Sequence, residues 1–374
     1  MIPFNIPYLT GKEKLYLEKA LENGVLSGNN AYTKYCHKFL SERYGFSKVL
    51  LTTSCTDALE MAAILIDIKE GDEVILPSYT FVSTANAFVL RGAKIVYADS
   101  RSDHPGMDED QIESLISSRT KAIVPVHYAG VACDMGKIKQ IAKEHDVYVI
   151  EDAAQAIDAR YEDSYLGGIG DIGCFSFHET KNISSGEGGA LIVNNPELQA
   201  RAEIIWEKGT NRAAFWRGEV DKYSWVDVGS SFLPSEMNAA YLAAQLDALD
   251  EIQNRRRAIW QSYHSAFENL EKVELISRPK LPSYAENNAH MYYLILNSLD
   301  QRTWFIEYLK ANEVYAVFHY ISLHTSVFGA QFDTNLKLDM AELYSDKLVR
   351  LPLYAGLKEG QVQKVIEAVI SFFK

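Results

Sequence analysis

Short apolar runs alternate with amphipathic stretches through the first two thirds of the chain. Residues 49–54 (VLLTTS), 73–78 (EVILPS), 94–100 (KIVYADS), 121–130 (KAIVPVHYAG) and 147–155 (VYVIEDAAQ) are rich in Val, Ile and Leu and read as strands. Between them, 56–68, 84–92 and 135–145 carry helical spacing of apolar side chains. Strands this apolar, separated by helices, predict βαβ units and a parallel sheet buried on both faces. Ligands bind such sheets at the carboxyl ends of strands. The segments Thr53 to Asp57, Ser78 to Phe81 and Asp152 to Gln155 therefore hold the first candidates for chemistry.

The texture changes near residue 240. Residues 239–267 predict one long helix, followed by a strand at 291–297, a helix at 303–313, a strand at 314–319 and a final helix at 360–373. That is an α+β pattern. A hinge along the long helix divides the chain into a large domain, 1–245, and a smaller C-terminal domain, 246–374. The length of 374 residues suits two packed domains.

The net charge of −13 argues against nucleic acid as the main partner, because phosphate backbones select basic stripes. It leaves room for one nucleotide in a local basic pocket. Cys36, Cys55, Cys133 and Cys174 form no C-x-x-C pair, and no metal cluster emerges from the nine histidines. No run of about 18 apolar residues occurs, so no membrane span is expected. With no signal-peptide pattern at the N-terminus, the expected compartment is the cytoplasm.

Three clusters carry candidate chemistry. Asp152 ends an apolar strand, where a carboxylate can cap a helix or aim a charge into a cleft. In the second role it can keep a pyridine nitrogen protonated, so that the ring accepts electrons from a neighbouring carbanion. Lys181 follows the strand-like Cys174–Phe177 and precedes the glycine-rich Gly186-Glu187-Gly188-Gly189. Most lysines are solvated surface charges, but a desolvated one has a lowered pKa and forms a Schiff base with an aldehyde. Ser54, Cys55 and Thr56 open a helix, where free N–H groups make an anion site or where a serine simply caps. His178 is a packing or capping histidine with at most a supporting role. Gly167-Gly168-Ile169-Gly170 does not form the G-x-G-x-x-G dinucleotide fingerprint, and no G-x-S-x-G elbow is present.

Together these residues form a pattern. S-C-T-D-A-L (54–59), P-S-Y-T-F-V-S-T-A-N-A (77–87), V-I-E-D-A-A-Q-A (149–156), G-D-I-G-C-F-S-F-H-E-T-K-N (170–182), G-E-G-G-A (186–190) and the helix after Glu236 are similar to the DegT/DnrJ/EryC/StrS sugar-nucleotide aminotransferases. The resemblance runs over essentially the full length. It implies an α/β chain of fold type I, the aspartate-aminotransferase-like architecture: a large domain with a mixed, mostly parallel sheet and a smaller α+β domain. It implies pyridoxal 5'-phosphate (PLP) as cofactor and a homodimer with the active site at the interface. It also implies a dTDP-linked keto sugar as acceptor and L-glutamate as amino donor. The blocks at 71–96, 124–133 and 207–212 resemble the members that aminate a dTDP-linked 4-keto-6-deoxyglucose to the 4-amino-4,6-dideoxygalactose, for a bacterial surface polysaccharide. Amination at C3, or of another sugar, is the alternative.

Carried over residue by residue, the resemblance implies that Lys181 forms the imine and shuttles the proton, and that Asp152 pairs with the pyridine nitrogen. Gln155 would lie beside the ring and Phe81 on its face. Cys55, Thr56 and Ser176 would bind the phosphate. The family often has an asparagine in a G-x-N motif that reaches the phosphate across the dimer; here Ser231 stands there, with a shorter reach. The segment His319 to His324 lacks the proline that usually precedes Leu-His. Lys208, Asn211 and Arg212 are candidates for the nucleotide diphosphate or plain solvated loop residues. His319 and Tyr320 line the sugar end or belong to the core. A dehydratase of this fold would carry histidine in place of Lys181, and a non-catalytic PLP-binding protein would need an appended domain.

Overall fold

A computed structural model describes residues 1–333 and 335–374. In chain order the strands are β1 (Val49–Thr52), β2 (Glu73–Pro77), β3 (Lys94–Ala98), β4 (Thr120–Ile123), β5 (Tyr148–Asp152), β6 (Arg160–Tyr161), β7 (Ser164–Tyr165), β8 (Ile172–Ser176), β9 (Gly189–Val193), β10 (Ala285–Glu286), β11 (Tyr292–Ile295), β12 (Val317–Phe318) and β13 (Leu348–Leu351). Seven form one sheet in the order β1-β9-β8-β5-β4-β2-β3. Pairings from β3 through β8 are parallel, and β9 runs antiparallel to both its neighbours. The sheet is thus mixed and mostly parallel, as expected.

Successive residues of a strand point to opposite faces. Val74 and Leu76 of β2 pack with the helices Cys55–Leu65 and Val82–Val89 through Ala58, Leu59, Met61 and Phe88. Ile75, between them, packs on the other face against Ile138 and Ile141 of the helix Met135–His145. Both faces are covered, so the strands carry apolar residues without alternation. At about 25 cal/mol per Å² of apolar area removed from water, this double burial drives the sheet's assembly.

Two expected elements differ. The strand at 121–130 stops at Ile123. Pro125 has no N–H to continue the ladder, and the chain bends through a turn at Tyr128–Gly130, where Ala129 and Gly130 have φ of 58° and 74°. A Cβ at Gly130 would sit 2.0 Å from Asn288 Oδ1, so the bend requires glycine. The long helix at 239–267 is two helices, Glu236–Leu246 and Leu249–Ala266. Between them, the Asp247 carboxylate accepts the hydroxyls of Tyr16 and Tyr35.

The C-terminal region holds an antiparallel sheet in the order β11-β13-β12. Its core packs Tyr292, Leu294, Val349 and Leu351 against Phe305, Leu309, Val365 and Val369 of the helices Leu299–Ala311 and Glu359–Phe372. Ile2 joins this core and bridges to Val314, so the extreme N-terminus packs with the last third of the chain.

Candidate active site

β5 ends in two adjacent carboxylates with opposite surroundings. Glu151, fully buried, accepts the N–H groups of Gly167 (2.7 Å), Ile169 (2.7 Å) and Gly170 (2.6 Å) and lies 3.0 Å from His127 Nε2. Its lone pairs are spoken for, and it holds the glycine-rich turn to the sheet. Asp152 points to the other face. Thr84 donates to its Oδ2 at 2.7 Å and the Ala154 N–H to its Oδ1 at 3.1 Å. Burial raises its pKa; the two hydrogen bonds and the Lys181 and His127 charges act against that shift. Such a group sits ready for a basic ring nitrogen.

β8 lies parallel to β5, with Asp152 beside Cys174. Just beyond β8, the Lys181 N–H closes a turn onto the His178 carbonyl (2.9 Å). Lys181 lines the same cavity as Asp152, about 460 Å³ in volume. Burial lowers the pKa of its amine, against the pull of Cys55 and Asp152, and Arg350 lowers it further. A lowered pKa favours the neutral amine, the form that attacks a carbonyl carbon. The neighbouring Asn182 donates to the Asn288 carbonyl (2.9 Å) and to Gln253 (2.8 Å), and its Oδ1 meets His290 Nδ1 at 2.9 Å. These contacts fix the backbone that carries the lysine.

At the start of the helix Cys55–Leu65, Ser54 caps the Asp57 N–H at 3.0 Å. A helix start has several N–H groups without an intrahelical acceptor, and Cys55 and Thr56 line the cavity. β9 passes so close that a Cβ at Gly189 would lie 2.5 Å from the Ser54 backbone. Thr56 Oγ1 hydrogen-bonds Ser83 at 2.8 Å, and Ser176 accepts the His178 N–H at 3.3 Å. This cradle of N–H and hydroxyl groups suits a phosphate.

Gln155 is oriented by the bend at 128–130: its Oε1 accepts the Ala129 N–H at 2.7 Å, and its Nε2 lies 3.4 Å from the Tyr320 hydroxyl. Phe81, half exposed, has its ring 5.9 Å from that of Tyr320. His319 hydrogen-bonds the Tyr128 hydroxyl at 3.0 Å; burial, with Arg350 and Lys181 nearby, pushes its pKa well down. The segment after it lacks proline yet is docked on the end of β2. Ser78 accepts the Leu323 N–H on its carbonyl at 2.8 Å and meets His324 Nδ1 at 2.6 Å.

Lys181, Asp152, Gln155, Phe81, Cys55, Thr56, Ser176, His319 and Tyr320 therefore converge on one cavity. Ser231, Lys208 and Arg212 do not join them. They line a separate groove of about 1040 Å³ with Lys34, Lys48, Trp216 and Arg217. Asn211 lies beside them and accepts the Ser224 N–H at 2.8 Å. Among the cavity residues to which the sequence reading gave no role are Thr84, which grips Asp152; Val126, on the bend that also orients Gln155; His290, beside Asn182; and Arg350, on β13. Only Arg350 left a signal, a charge inside the apolar run LVRLPL.

Among the described residues no group of His, Cys, Asp and Glu is arranged to hold a metal, and no helix is long and apolar enough to cross a membrane.

Residues 7–370 match the family model described as the DegT/DnrJ/EryC1/StrS aminotransferase family. Protein MJ1066 of Methanocaldococcus jannaschii is 36% identical, over 84% of this chain and 83% of its own. The spore coat polysaccharide biosynthesis protein SpsC of Bacillus subtilis is 32% identical, over 100% of this chain and 97% of its own. The PLP form of a putative sugar aminotransferase, Spr1654 of Streptococcus pneumoniae, superposes with a TM-score of 0.90 at 25% identity, covering 99% of this chain and 98% of that one.

Proposed function

Since this chain belongs to the DegT/DnrJ/EryC1/StrS family, and is a PLP-dependent sugar aminotransferase of the fold type I class, we propose that its acceptor is dTDP-4-keto-6-deoxy-D-glucose and its donor L-glutamate. The products are then dTDP-4-amino-4,6-dideoxy-D-galactose and 2-oxoglutarate. The observation that carries the chemistry is the pairing of Lys181 and Asp152 across one cavity. The sugar rests on the sequence blocks at 71–96, 124–133 and 207–212. SpsC, a polysaccharide biosynthesis protein by name, supports a product destined for a surface polysaccharide.

The residues present fit the cofactor: an amine of lowered pKa, a carboxyl to face a ring nitrogen, and a phosphate cradle at a helix start. PLP, when bound, supplies an electron sink beside the reacting carbon. Asp152 would keep a proton on the ring nitrogen, and its hydrogen bonds from Thr84 and Ala154 fix its direction. Lys181 would hold the cofactor through its amine and, as the free amine, would take the proton from the donor's α-carbon and return it in the acceptor half of the exchange. Phe81 and Gln155, which line the cavity, would flank the ring. Cys55, Thr56 and Ser176 would bind the phosphate.

The protein works as a homodimer in this reading. On a chain whose net charge is −13, the groove gathers Lys34, Lys208 and Arg212, which pair with no carboxylate among the described residues, beside Lys48 and Arg217, which pair with Glu203. A cationic strip on an acidic protein suits a diphosphate. A second copy would bring Ser231, Lys208, Asn211 and Arg212 to the mouth of the Lys181 cavity, where Ser231 reaches the cofactor phosphate and the others the nucleotide. His319 and Tyr320 line the sugar end.

The test is to incubate the holoenzyme with L-glutamate and dTDP- and UDP-linked 3-keto and 4-keto sugars, and to identify products by NMR. Amination of the dTDP-linked 4-keto sugar, with the new amine axial, is expected. Conversion of 3-keto sugars alone overturns the acceptor and leaves the family standing.

A further inference from the structure

The two carboxylates at the end of β5 depend on different kinds of donor. Glu151 takes the backbone N–H groups of Gly167, Ile169 and Gly170. A backbone N–H can only donate. Asp152 takes one such group, from Ala154, on Oδ1. Its Oδ2 has one partner among the described residues, the Thr84 hydroxyl at 2.7 Å. A hydroxyl donates or accepts as its surroundings favour. By itself Thr84 would serve an ionised or a protonated carboxyl equally well.

A second hydroxyl removes that freedom. Thr80 Oγ1 lies 2.9 Å from Thr84 Oγ1 and has no other partner among the described residues. Thr80 immediately precedes Phe81, the N-cap of the helix Val82–Val89, and Thr84 stands in the first turn of that helix. Thr84 is fully buried and Thr80 is 2% exposed. With Asp152 ionised, Thr80 donates to Thr84 and Thr84 donates to Oδ2, so both hydroxyl protons are used. With a proton on Oδ2 both bonds reverse, and the Thr80 proton is left buried without an acceptor. An unused buried donor is costly.

We propose that Thr80 and Thr84 are positioning residues that act through Asp152: their hydroxyls form a chain with a single proton order, which favours the ionised carboxylate and so keeps a negative charge facing the ring nitrogen. The inference rests on the reading of Asp152 as that nitrogen's partner. Hydrogen bonds in a chain polarise one another, so the outer hydroxyl is felt at a carboxylate it does not bond. The other titratable groups near Asp152 are Lys181, His127, Cys55, Cys174 and Tyr320. Burial pushes both thiols and the Tyr320 phenol up, so these three stay neutral in the range measured below.

The experiment reads the ring nitrogen and the carboxyl separately. In holoenzyme carrying PLP isotope-labelled at the ring nitrogen, Thr84→Val should move the NMR resonance toward that of an unprotonated pyridine, the direction in which Asp152→Asn moves it further. The donor half-reaction of Thr84→Val should slow about 10-fold, in kcat rather than KM. In the full chain freed of cofactor, with aspartate side-chain carboxyls labelled, the Asp152 resonance is the one lost in Asp152→Asn, and it is followed from pH 4 to 8. Thr84→Val should raise its titration by about 1 to 2 pH units. Thr80→Val should raise it by a few tenths of a unit, and Thr84→Ser, which keeps the hydroxyl, should stay with wild type. The same order of shifts should persist on a Lys181→Ala background, where that amine no longer titrates. A Thr84→Val carboxyl that titrates with wild type, a Thr80→Val shift that is absent or opposite in sign, or a Thr84→Ser shift as large as that of Thr84→Val overturns the proposal. Should Thr84→Val fail to fold, Thr80→Val, one bond further from the carboxylate, gives the reading. If the ring nitrogen ignores Asp152→Asn, the reading of Asp152 as its partner is wrong, and the carboxyl titration still decides the chain.

Discussion

The cavity at the strand ends and the groove at residues 27–50 and 203–235 are built on opposite principles. In the cavity each reactive group is held by another buried one: Asp152 by Thr84, Gln155 by Ala129, the Lys181 backbone through Asn182 and His290. The groove's cations stand on loops and helix faces, near the exposed rings of Trp216 and Tyr223 and of Trp225, which is 81% exposed. Contiguous apolar exposure of that kind marks a surface that something covers. Groups whose pKa must be set are placed where burial within one chain shifts it. Groups that grip a polar, variable ligand are left on a surface that, in the homodimer we propose, a second copy completes.

The cavity side of this contrast breaks most sharply at Lys181. Lys181→Ala should lower turnover by more than about 10⁴-fold, and borohydride should no longer fix cofactor to the chain. Retention of the tag would show that another amine holds the aldehyde. Asp152→Asn keeps the shape and removes the charge. The donor half-reaction should slow on the order of 10²- to 10³-fold, with cofactor affinity changed far less. A loss of affinity with an intact rate would make Asp152 a docking residue.

The groove side is tested by mixing. Arg212→Ala alone should reduce kcat/KM for the sugar nucleotide about 10-fold and leave the glutamate half-reaction untouched. If the groove serves the neighbouring cavity, hybrids of a Lys181→Ala chain and an Arg212→Ala chain hold one intact composite site. They should then recover about half the wild-type activity per dimer, although both parents are impaired. Hybrids no better than Arg212→Ala would place the groove in the service of its own chain.

The same contrast governs what could be seen in the sequence. Residues at strand ends in the sheet were legible, because buried parallel strands announce themselves as apolar runs and the ligand rule then points just beyond them. That rule points to Asp152; Lys181 stands out because it follows a strand-like stretch and precedes a glycine-rich loop, and the family resemblance joins the two. Arg350 was not found, since β13 is four residues long and follows directly on the helix Asp339–Lys347. Nor did local pattern show that Ser231, Lys208 and Arg212 sit away from Lys181: a sequence carries no sign of which cavity a surface loop faces. The break at Asp247 left no local sign, and the two tyrosine hydroxyls on its carboxylate come from residues more than 200 positions upstream.

The smallest effect concerns His37, in the wall of the groove. Its Nε2 accepts the Leu51 N–H at 2.8 Å, and its ring lies 5.7 Å from Trp206. Burial first, and the Lys48 charge second, push its pKa down to about 3. An unfolded histidine titrates near 6.5. Between that value and about 3 the unfolded chain holds the proton and the folded one does not. Folding stability therefore rises with pH through this window and is lost as pH falls through it, by up to about 1.4 kcal/mol per pH unit for one proton. His37→Gln keeps an oxygen to accept the Leu51 N–H and cannot titrate. Chemical denaturation at pH 4 to 7 should show nearly equal stabilities at pH 7 and a slope shallower by one proton on the acid side. If the slopes coincide, His37 is protonated in the folded chain, and the groove is wetter to its base than its buried histidine implies.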